Sequence, residues 1–462
     1  MKKQGVAAVI LAAGKGTRMK SECAKVLHEL AGAPMVHYPL AAARTIGAEP
    51  LVLVVGHQGD AVEAALVGSG VSFVTQSEQL GTGHALLCAA EALEDFQGEL
   101  LLLCGDVPLI RDETLARLLT YHREQSAAVT VLTATLDDAS GYGRIVREGE
   151  SLAAIVEEKD ASAEQKAIRE INTGLYVFSA PYVFEALQHV GCDNAQGEYY
   201  LTDVVAAARG AGHRVRALAV EEAVETLGVN DRSQLAEAAA VLRERINRAQ
   251  MLAGVSLPDP AATYIDSGVT IGADSVVHPG AHLRGTTVLG SHCIVEPGVV
   301  VKNSRIGDGV HLKAGSVLEG AEVGAGCAIG PMAHLRPGTV LLGDNKIGNF
   351  VETKKARLDL GSQASHLTYL GDAEVGKHVN FGCGTITCNY DGRDKHLTVV
   401  EDDVFVGSDV QLVAPVRIGR NALLAAGSTI TKDVPADALA LSRVEQKMIP
   451  GWSLKHKKSK KK

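Results

Sequence analysis

No stretch of this 462-residue chain is both long and apolar enough to cross a membrane. A basic balance is missing too: 45 Lys and Arg stand against 54 Asp and Glu, a net charge of −9. That argues against nucleic acid as the main partner. The eight cysteines are scattered, with no Cys-x-x-Cys pair among them. They read as reduced thiols of a cytosolic protein and not as metal ligands. Met1-Lys2-Lys3 ahead of Val6 to Ala13 imitates a secretion signal. The apolar run is short and passes straight into Gly14-Lys15-Gly16-Thr17-Arg18, so it reads as a first strand. What remains is a soluble, cytoplasmic enzyme of two or three domains, with enough apolar residues (46%) for a large core.

The second half repeats every six residues. Aliphatic side chains recur at Ile265, Ile271, Val277, Leu283, Leu289, Val295 and Val301, then at Ile306, Leu312 and Leu318. They go on at Val323, Ile329, Leu335, Leu341 and Ile347, and later at Val400, Val406, Leu412, Ile418, Leu424 and Ile430. No α-helix has this period, so the pattern predicts short parallel strands wound into a solenoid. Three hexapeptides make one coil of a prism, with the aliphatic residue pointing to the axis. These hexapeptides resemble the left-handed parallel β-helix of acyl- and acetyltransferases. That resemblance implies the hand, which the period does not show, and a trimer with ligands between neighbouring prisms.

The first 230 residues alternate apolar strands with helical stretches, at Val6–Leu11, Leu51–Val55, Val71–Val74, Leu100–Cys104 and Val129–Thr135. This predicts a parallel sheet covered by helices on both faces, with ligands at the carboxyl ends of the strands. Informative residues follow those ends. Leu11-Ala12-Ala13-Gly14-Lys15-Gly16-Thr17-Arg18 and then Lys25 combine glycines, which let backbone N–H groups approach a phosphate, with cations that neutralise it. No Gly-Lys-Ser/Thr closes the loop as in a Walker A motif, and the third glycine of a dinucleotide fingerprint is missing. Gln76 to Ala85 offers amides and backbone donors for a base edge. Cys104-Gly105-Asp106 puts a carboxylate where Mg²⁺ can sit with substrate phosphates. Tyr142-Gly143-Arg144, Glu157-Glu158-Lys159-Asp160, Asn172-Thr173-Gly174 and Gly228-Val229-Asn230 complete the series.

In this order the motifs resemble the bacterial bifunctional N-acetylglucosamine-1-phosphate uridyltransferase/glucosamine-1-phosphate acetyltransferase family, over the whole chain except its basic tail. The implied fold is an α/β Rossmann-like nucleotidyltransferase domain followed by a left-handed parallel β-helix of hexapeptide repeats. The resemblance implies that Leu11, Ala12, Ala13, Gly14, Arg18, Gln76, Gly81, Thr82, Cys104 and Gly105 serve the uridine nucleotide, and that Lys25 contacts its phosphates. It gives N-acetylglucosamine to Gly143, Glu157 and Asn172, and Mg²⁺ to Asp106 and Asn230. Ala24 departs from the pattern, which has proline before the lysine.

Residues 231–253 carry apolar residues at helical spacing and read as a linker helix, between a domain of residues 1–230 and a β-helix domain of residues 254–454. Residues 455–462, Lys455 to Lys462, read as a disordered basic tail. Within the solenoid, Leu335-Arg336, Glu352-Thr353-Lys354 and Ser365-His366 to Asp372 precede Asn380 to Thr385 and Cys388-Asn389-Tyr390. The six-residue register lapses between Thr387 and Val400, which predicts a loop leaving the prism at Cys388 to Leu397. By the same resemblance His366 is the general base that takes a proton from the amine of glucosamine-1-phosphate as it attacks acetyl-CoA, a task suited to an imidazole. Arg336, Lys354, Tyr369, Asn380 and Lys395 match the sugar-phosphate site. Cys383, Asn389, Tyr390, Ser408, Ala426 and Arg443 match the acetyl-CoA side, with Cys383 where the family carries alanine. The expected substrates are UTP, N-acetylglucosamine-1-phosphate, glucosamine-1-phosphate and acetyl-CoA, the expected assembly a homotrimer. Two other readings compete. One is a single-function nucleotidyltransferase with a regulatory β-helix, which would not need His366, Lys354 and Asn389-Tyr390. The other is a non-catalytic scaffold, which would not need the glycine-rich loop.

Overall fold

The structure is a computed structural model and describes residues 5–149 and 151–456. The chain divides into two compact units, Met1–Leu242 and Arg243–Lys462. In the first, β1 (Val6–Ala12), β2 (Leu51–Val55), β3 (Ser72–Thr75), β4 (Glu99–Cys104) and β5 (Val129–Thr135) fall where the apolar runs predict. The start of the secretion-signal imitation, residues 1–4, lies outside the described residues. Six strands were not foreseen: β6 (Arg144–Glu148), β7 (Ser151–Val156), β8 (Glu170–Ser179), β9 (Val215–Ala219) and the short antiparallel pair Glu29–Leu30 and Ala33–Pro34.

The sheet order is β9-β5-β8-β4-β1-β2-β3, with β6 paired to β8 and β7. The expectation of a parallel sheet holds for β1 to β4, but β8 runs antiparallel to both β4 and β5. The chain enters β8 from the β6–β7 hairpin with only the one-turn helix Ala163–Lys166 between, too little for the crossover that a parallel neighbour needs. Alternate residues of one strand feed opposite faces. Val9, Leu100 and Leu102 join one core, while Ile10, Leu101 and Leu103 join the other. Burial on both sides is why these strands read as unbroken apolar runs.

The second unit is a coil of two- to seven-residue strands, three to a turn, each paired in parallel with the strand one turn on. Ile265 pairs with Leu283, and after a five-residue step Val301 pairs with Leu318. The aliphatic residues of the repeat are buried along the axis, except Ile271, which is half-buried. Each buried Val, Leu or Ile contributes roughly 1.5–3 kcal/mol. Between Leu341 and Val400 the same inward column continues through Thr353, Ala364 and Thr387, all buried. The threonine hydroxyls are satisfied inside: Thr353 bonds Thr339 at 3.0 Å, and Thr387 donates to the Gly371 carbonyl at 3.0 Å. After that the excursion loop leaves the prism, and Phe381 pairs with Val406 on the far side of it. Tyr390 and Lys395 bridge across the loop as a narrow hairpin.

The stretch expected at 231–253 is the helix Arg232–Leu252, and the division between units falls within it. Ala238 and Leu242 pack with Leu30, Met35 and Val229 in the first unit. In the second, the buried Asn247 amide donates to the carbonyls of Pro260 and Thr263 at 2.7 and 2.9 Å, holding the helix end on the first coil. Lys455 and His456, expected to begin a disordered tail, belong to the short helix Trp452–His456; residues 457–462 lie outside the described residues. No helix among the described residues is long and apolar enough to cross a membrane.

Candidate functional site

In the first unit the ends of β1, β3 and β4 open on a cavity of about 280 Å³. Leu11, Ala12, Ala13, Gly14, Lys25, Gln76, Gly81, Thr82, Cys104 and Asp106 line it, segments far apart in sequence brought together by the sheet. Gly16 has φ 58°, and a Cβ there would stand 2.6 Å from Lys25 Cβ. Only glycine lets the loop close against that lysine. Lys25 Nζ lies 2.5 Å from Asp106 Oδ2 and 2.8 Å from Asn230 Oδ1. Instead of standing free for phosphates, it is the cation on which both expected metal ligands converge. Gly105 serves from below the cavity, its N–H donating to the Leu11 carbonyl at 2.9 Å and tying β4 to β1. Arg18 lies exposed on the turn Thr17–Met19, outside the cavity lining.

The expected sugar residues form their own group on β6, β7 and β8. Asn172 N–H donates to the Gly143 carbonyl at 2.8 Å. A Cβ on Gly143 would come within 3.4 Å of both Glu157 carboxylate oxygens. Burial pushes the Glu157 carboxyl above its ordinary range; the Thr202 hydroxyl opposes this, and Asp160, Asp203 and Glu198 reinforce it. Cys104 links this group to the cavity, its thiol donating to the Gly174 carbonyl at 3.6 Å. That thiol is pushed up to about 12 by burial and by Asp106, so it stays protonated. Sequence reading missed Glu198, which lines the cavity from the polar run Asn194 to Tyr200; nothing in that run marks it as a cavity wall.

In the second unit the coil register aligns the other candidates. Ala364 pairs with Phe381, Phe381 with Val406 and Val406 with Leu424. Two residues further on, the same register sets His366, Cys383, Ser408 and Ala426 in one axial column, at about 4.8 Å per coil. His366 is exposed, and its backbone carbonyl accepts from the Thr368 hydroxyl at 2.7 Å. Arg443 reaches the end of the column, its Cδ lying 3.7 Å from where a Gly427 Cβ would stand.

One strand register away, Arg336 pairs with Glu352 at 2.7 Å, and Glu352 stands beside Tyr369 in the ladder. Lys354 lies against Lys395, and this like-charged neighbour is the main reason that its pKa is lowered; Arg336 adds to the shift and Asp372 opposes it. Two lysines and an arginine so close are able to hold an anion. Asn389 is buried, and its amide donates to Asp372 at 2.5 Å. Asp372 therefore ties the excursion loop to the lysine pair, a role not foreseen from sequence. Asn380 sits half-buried in the ladder between Gln363 and Phe405. Tyr390 is 58% exposed, and its hydroxyl donates to the Gly392 carbonyl within its own loop.

Residues 8–169 match the MobA-like NTP transferase domain, residues 263–358 the GMPPB C-terminal domain, and residues 397–432 the bacterial transferase hexapeptide of six repeats. The fold is thus a Rossmann-like nucleotidyltransferase domain followed by a left-handed parallel β-helix. The bifunctional protein GlmU of Syntrophotalea carbinolica is 65% identical over 99% of this chain and 98% of its own. That of Pelobacter propionicus is 58% identical over 98% of this chain and 99% of its own, and that of Halalkalibacterium halodurans 50% over 95% and 96%. With both halves matched end to end at such identity, the chain belongs to the family of bifunctional GlmU proteins.

Proposed function

We propose that this protein makes UDP-N-acetylglucosamine from glucosamine-1-phosphate, acetyl-CoA and UTP, at two sites in sequence. The observation that carries the reading is the presence in one chain of two complete polar constellations. One is Lys25 with Asp106 and Asn230; the other is the Lys354–Lys395 pair with Arg336, and His366 on the adjoining ladder of the same coils.

In the first step the sugar phosphate sits against Arg336, Lys354, Tyr369, Asn380 and Lys395. His366 accepts a proton from the 2-amino group as that nitrogen attacks the thioester carbonyl, and CoA leaves as the thiol. The axial column of Cys383, Ser408 and Ala426, extended by Arg443, with Asn389 and Tyr390 beside it, is the track for acetyl-CoA. In the second step a phosphate oxygen of N-acetylglucosamine-1-phosphate attacks the α-phosphorus of UTP, and pyrophosphate leaves. Gln76, Gly81 and Thr82 hold the base, Leu11 to Gly14 the nucleotide backbone, and Gly143, Glu157 and Asn172 the sugar. Positioning and charge neutralisation supply most of the catalysis in such a transfer.

Asp106 Oδ2 and Asn230 Oδ1, converging on one ammonium, are hard oxygen donors that would suit Mg²⁺. Bound there, Mg²⁺ would supply charge neutralisation at the phosphates alongside the Lys25 ammonium.

The assembly is a homotrimer of prisms. Met332, Phe350 and Leu367 support this: they occupy left-handed corners in successive coils, are 53%, 60% and 59% exposed, and form an apolar ridge beside His366. Bulky residues rarely hold that conformation, and an apolar ridge in water favours a covering partner.

The test is to incubate the protein with glucosamine-1-phosphate, acetyl-CoA, UTP and Mg²⁺ and weigh the products. UDP-N-acetylglucosamine, CoA and pyrophosphate are expected. Conversion only when N-acetylglucosamine-1-phosphate is supplied ready-made would favour a single-function nucleotidyltransferase.

A further inference from the structure

One hydrogen-bond relay behind the nucleotide cavity runs from Gln76 to His84, a residue with none of the roles above. Gln76 is 3% exposed, and its backbone N–H is fixed on the Val55 carbonyl at 2.7 Å. Its side-chain Nε2 lies 3.1 Å from the Gly81 carbonyl and 3.1 Å from His84 Nδ1. A carbonyl oxygen can only accept, so the amide nitrogen must face Gly81; the flipped amide would set oxygen against oxygen. Both amide hydrogens are then committed, one to Gly81 and one to His84. It follows that His84 Nδ1 carries a bare lone pair, and the ring is neutral with its proton on Nε2. That Nε2 points to Cys88 Sγ at 4.0 Å, one helical turn on in Thr82–Cys88, and the ring lies 6.4 Å from that of Tyr199. Gly81, with φ 106°, cannot be replaced by a residue with a side chain, because a Cβ there would stand 2.7 Å from the Tyr199 carbonyl.

Only Gln76 Oε1 is left to serve the cavity, as an acceptor that cannot become a donor. An acceptor there takes the N3–H of uracil or thymine. Cytosine presents a lone pair at N3 and would meet it acceptor to acceptor.

We propose that His84 is a positioning residue that locks the Gln76 amide and thereby makes the pocket select pyrimidines bearing an N3–H over cytosine. This rests on the uridylyl-transfer reading of the same cavity. Sites built to pair one hydrogen-bonding group reject a mismatched analogue by large factors, because a buried polar group is left unpaired.

Two measurements test it. The ratio of kcat/KM for UTP to that for CTP is compared in wild type, His84→Leu and His84→Asn. In His84→Leu the amide loses its second acceptor, and the ratio is expected to fall by about tenfold. In His84→Asn a side-chain oxygen can replace Nδ1, and the ratio is expected to return toward wild type. Independently of activity or of any variant, ¹⁵N spectra of the wild-type imidazole at pH 8 should show Nε2 protonated and Nδ1 bare. An unchanged UTP-to-CTP ratio in a folded His84→Leu protein, or a proton on Nδ1, would overturn the proposal. Wild-type protein that turned over no UTP would instead overturn the uridylyl reading beneath it, while the ¹⁵N spectra would still report the tautomer.

Discussion

The two halves of the chain solve the problem of building a site in opposite ways. The first unit gathers residues from Leu11 to Asn230 at the ends of parallel strands, and one fold encloses them: Gln76 is buried and the cavity has walls on several sides. The second unit takes residues a coil apart and lays them on the outside of a rod. His366 stands exposed, and Tyr390 bonds only within its own loop. A sheet with a topological break makes a pocket by itself, whereas a prism makes only faces. The first site should therefore work in a single chain and the second should depend on neighbours.

The comparison is broken most sharply by separating the activities. His366→Ala is expected to lose roughly 10²–10⁴-fold in acetyltransfer for want of a base, and to leave uridylyl transfer near wild type. Asp106→Ala should do the reverse. Full acetyltransferase rate in His366→Ala would refute the base assignment.

Next in size is the dependence on neighbours. Charging the ridge with Phe350→Glu and Leu367→Glu should convert the assembly to monomers in light scattering. Acetyltransfer should fall at least about tenfold, as expected when a site must be assembled before it can position its substrates, while uridylyl transfer persists. A monomer with full acetyltransferase activity would show that the open face suffices alone.

A smaller effect sharpens the chemistry of the second site. Lys354 has a lowered pKa because the like-charged Lys395 lies against it, so it loses its proton at a lower pH than an ordinary lysine near ~10.4. Affinity for glucosamine-1-phosphate should weaken on the alkaline side accordingly. Lys395→Met removes the like charge and should move that alkaline limb upward, while weakening binding at neutral pH. A limb that stays in place would separate Lys354 from the phosphate.

The smallest effect belongs to the first site. Ala24 has φ −56°, which proline would also adopt. Ala24→Pro should stabilise the loop by about 0.4–1 kcal/mol through the unfolded chain, readable as a rise in melting temperature, if the buried position admits the ring. Uridylyl transfer should be unchanged.

What could be read from sequence differs between the halves for the same reason. The prism was legible almost residue by residue, because its inward column repeats and each coil contacts only its neighbours. It faded where Thr353, Ala364 and Thr387 replace aliphatics, since threonines satisfied by their own coils can be buried as readily as valine. In the first unit the strands from Val6 to Thr135 were legible as apolar runs, but the antiparallel entry of β8 was not. Strand direction depends on the connection, which an apolar run such as Leu152 to Val156 does not record. Motif residues such as Lys25 and Asp106 were visible singly. Their meeting with Asn230, and the relay from Gln76 to His84, exist only once the chain is folded.

The claim that one chain carries two independent sites is tested most directly by mixing. His366→Ala and Asp106→Ala proteins, each unable to form UDP-N-acetylglucosamine from glucosamine-1-phosphate alone, are combined with acetyl-CoA, UTP and Mg²⁺, and the product is weighed. The account predicts that the mixture forms UDP-N-acetylglucosamine, because N-acetylglucosamine-1-phosphate leaves one protein and is used by the other. A mixture as inactive as its parts, although each variant keeps its remaining half-reaction, would contradict it.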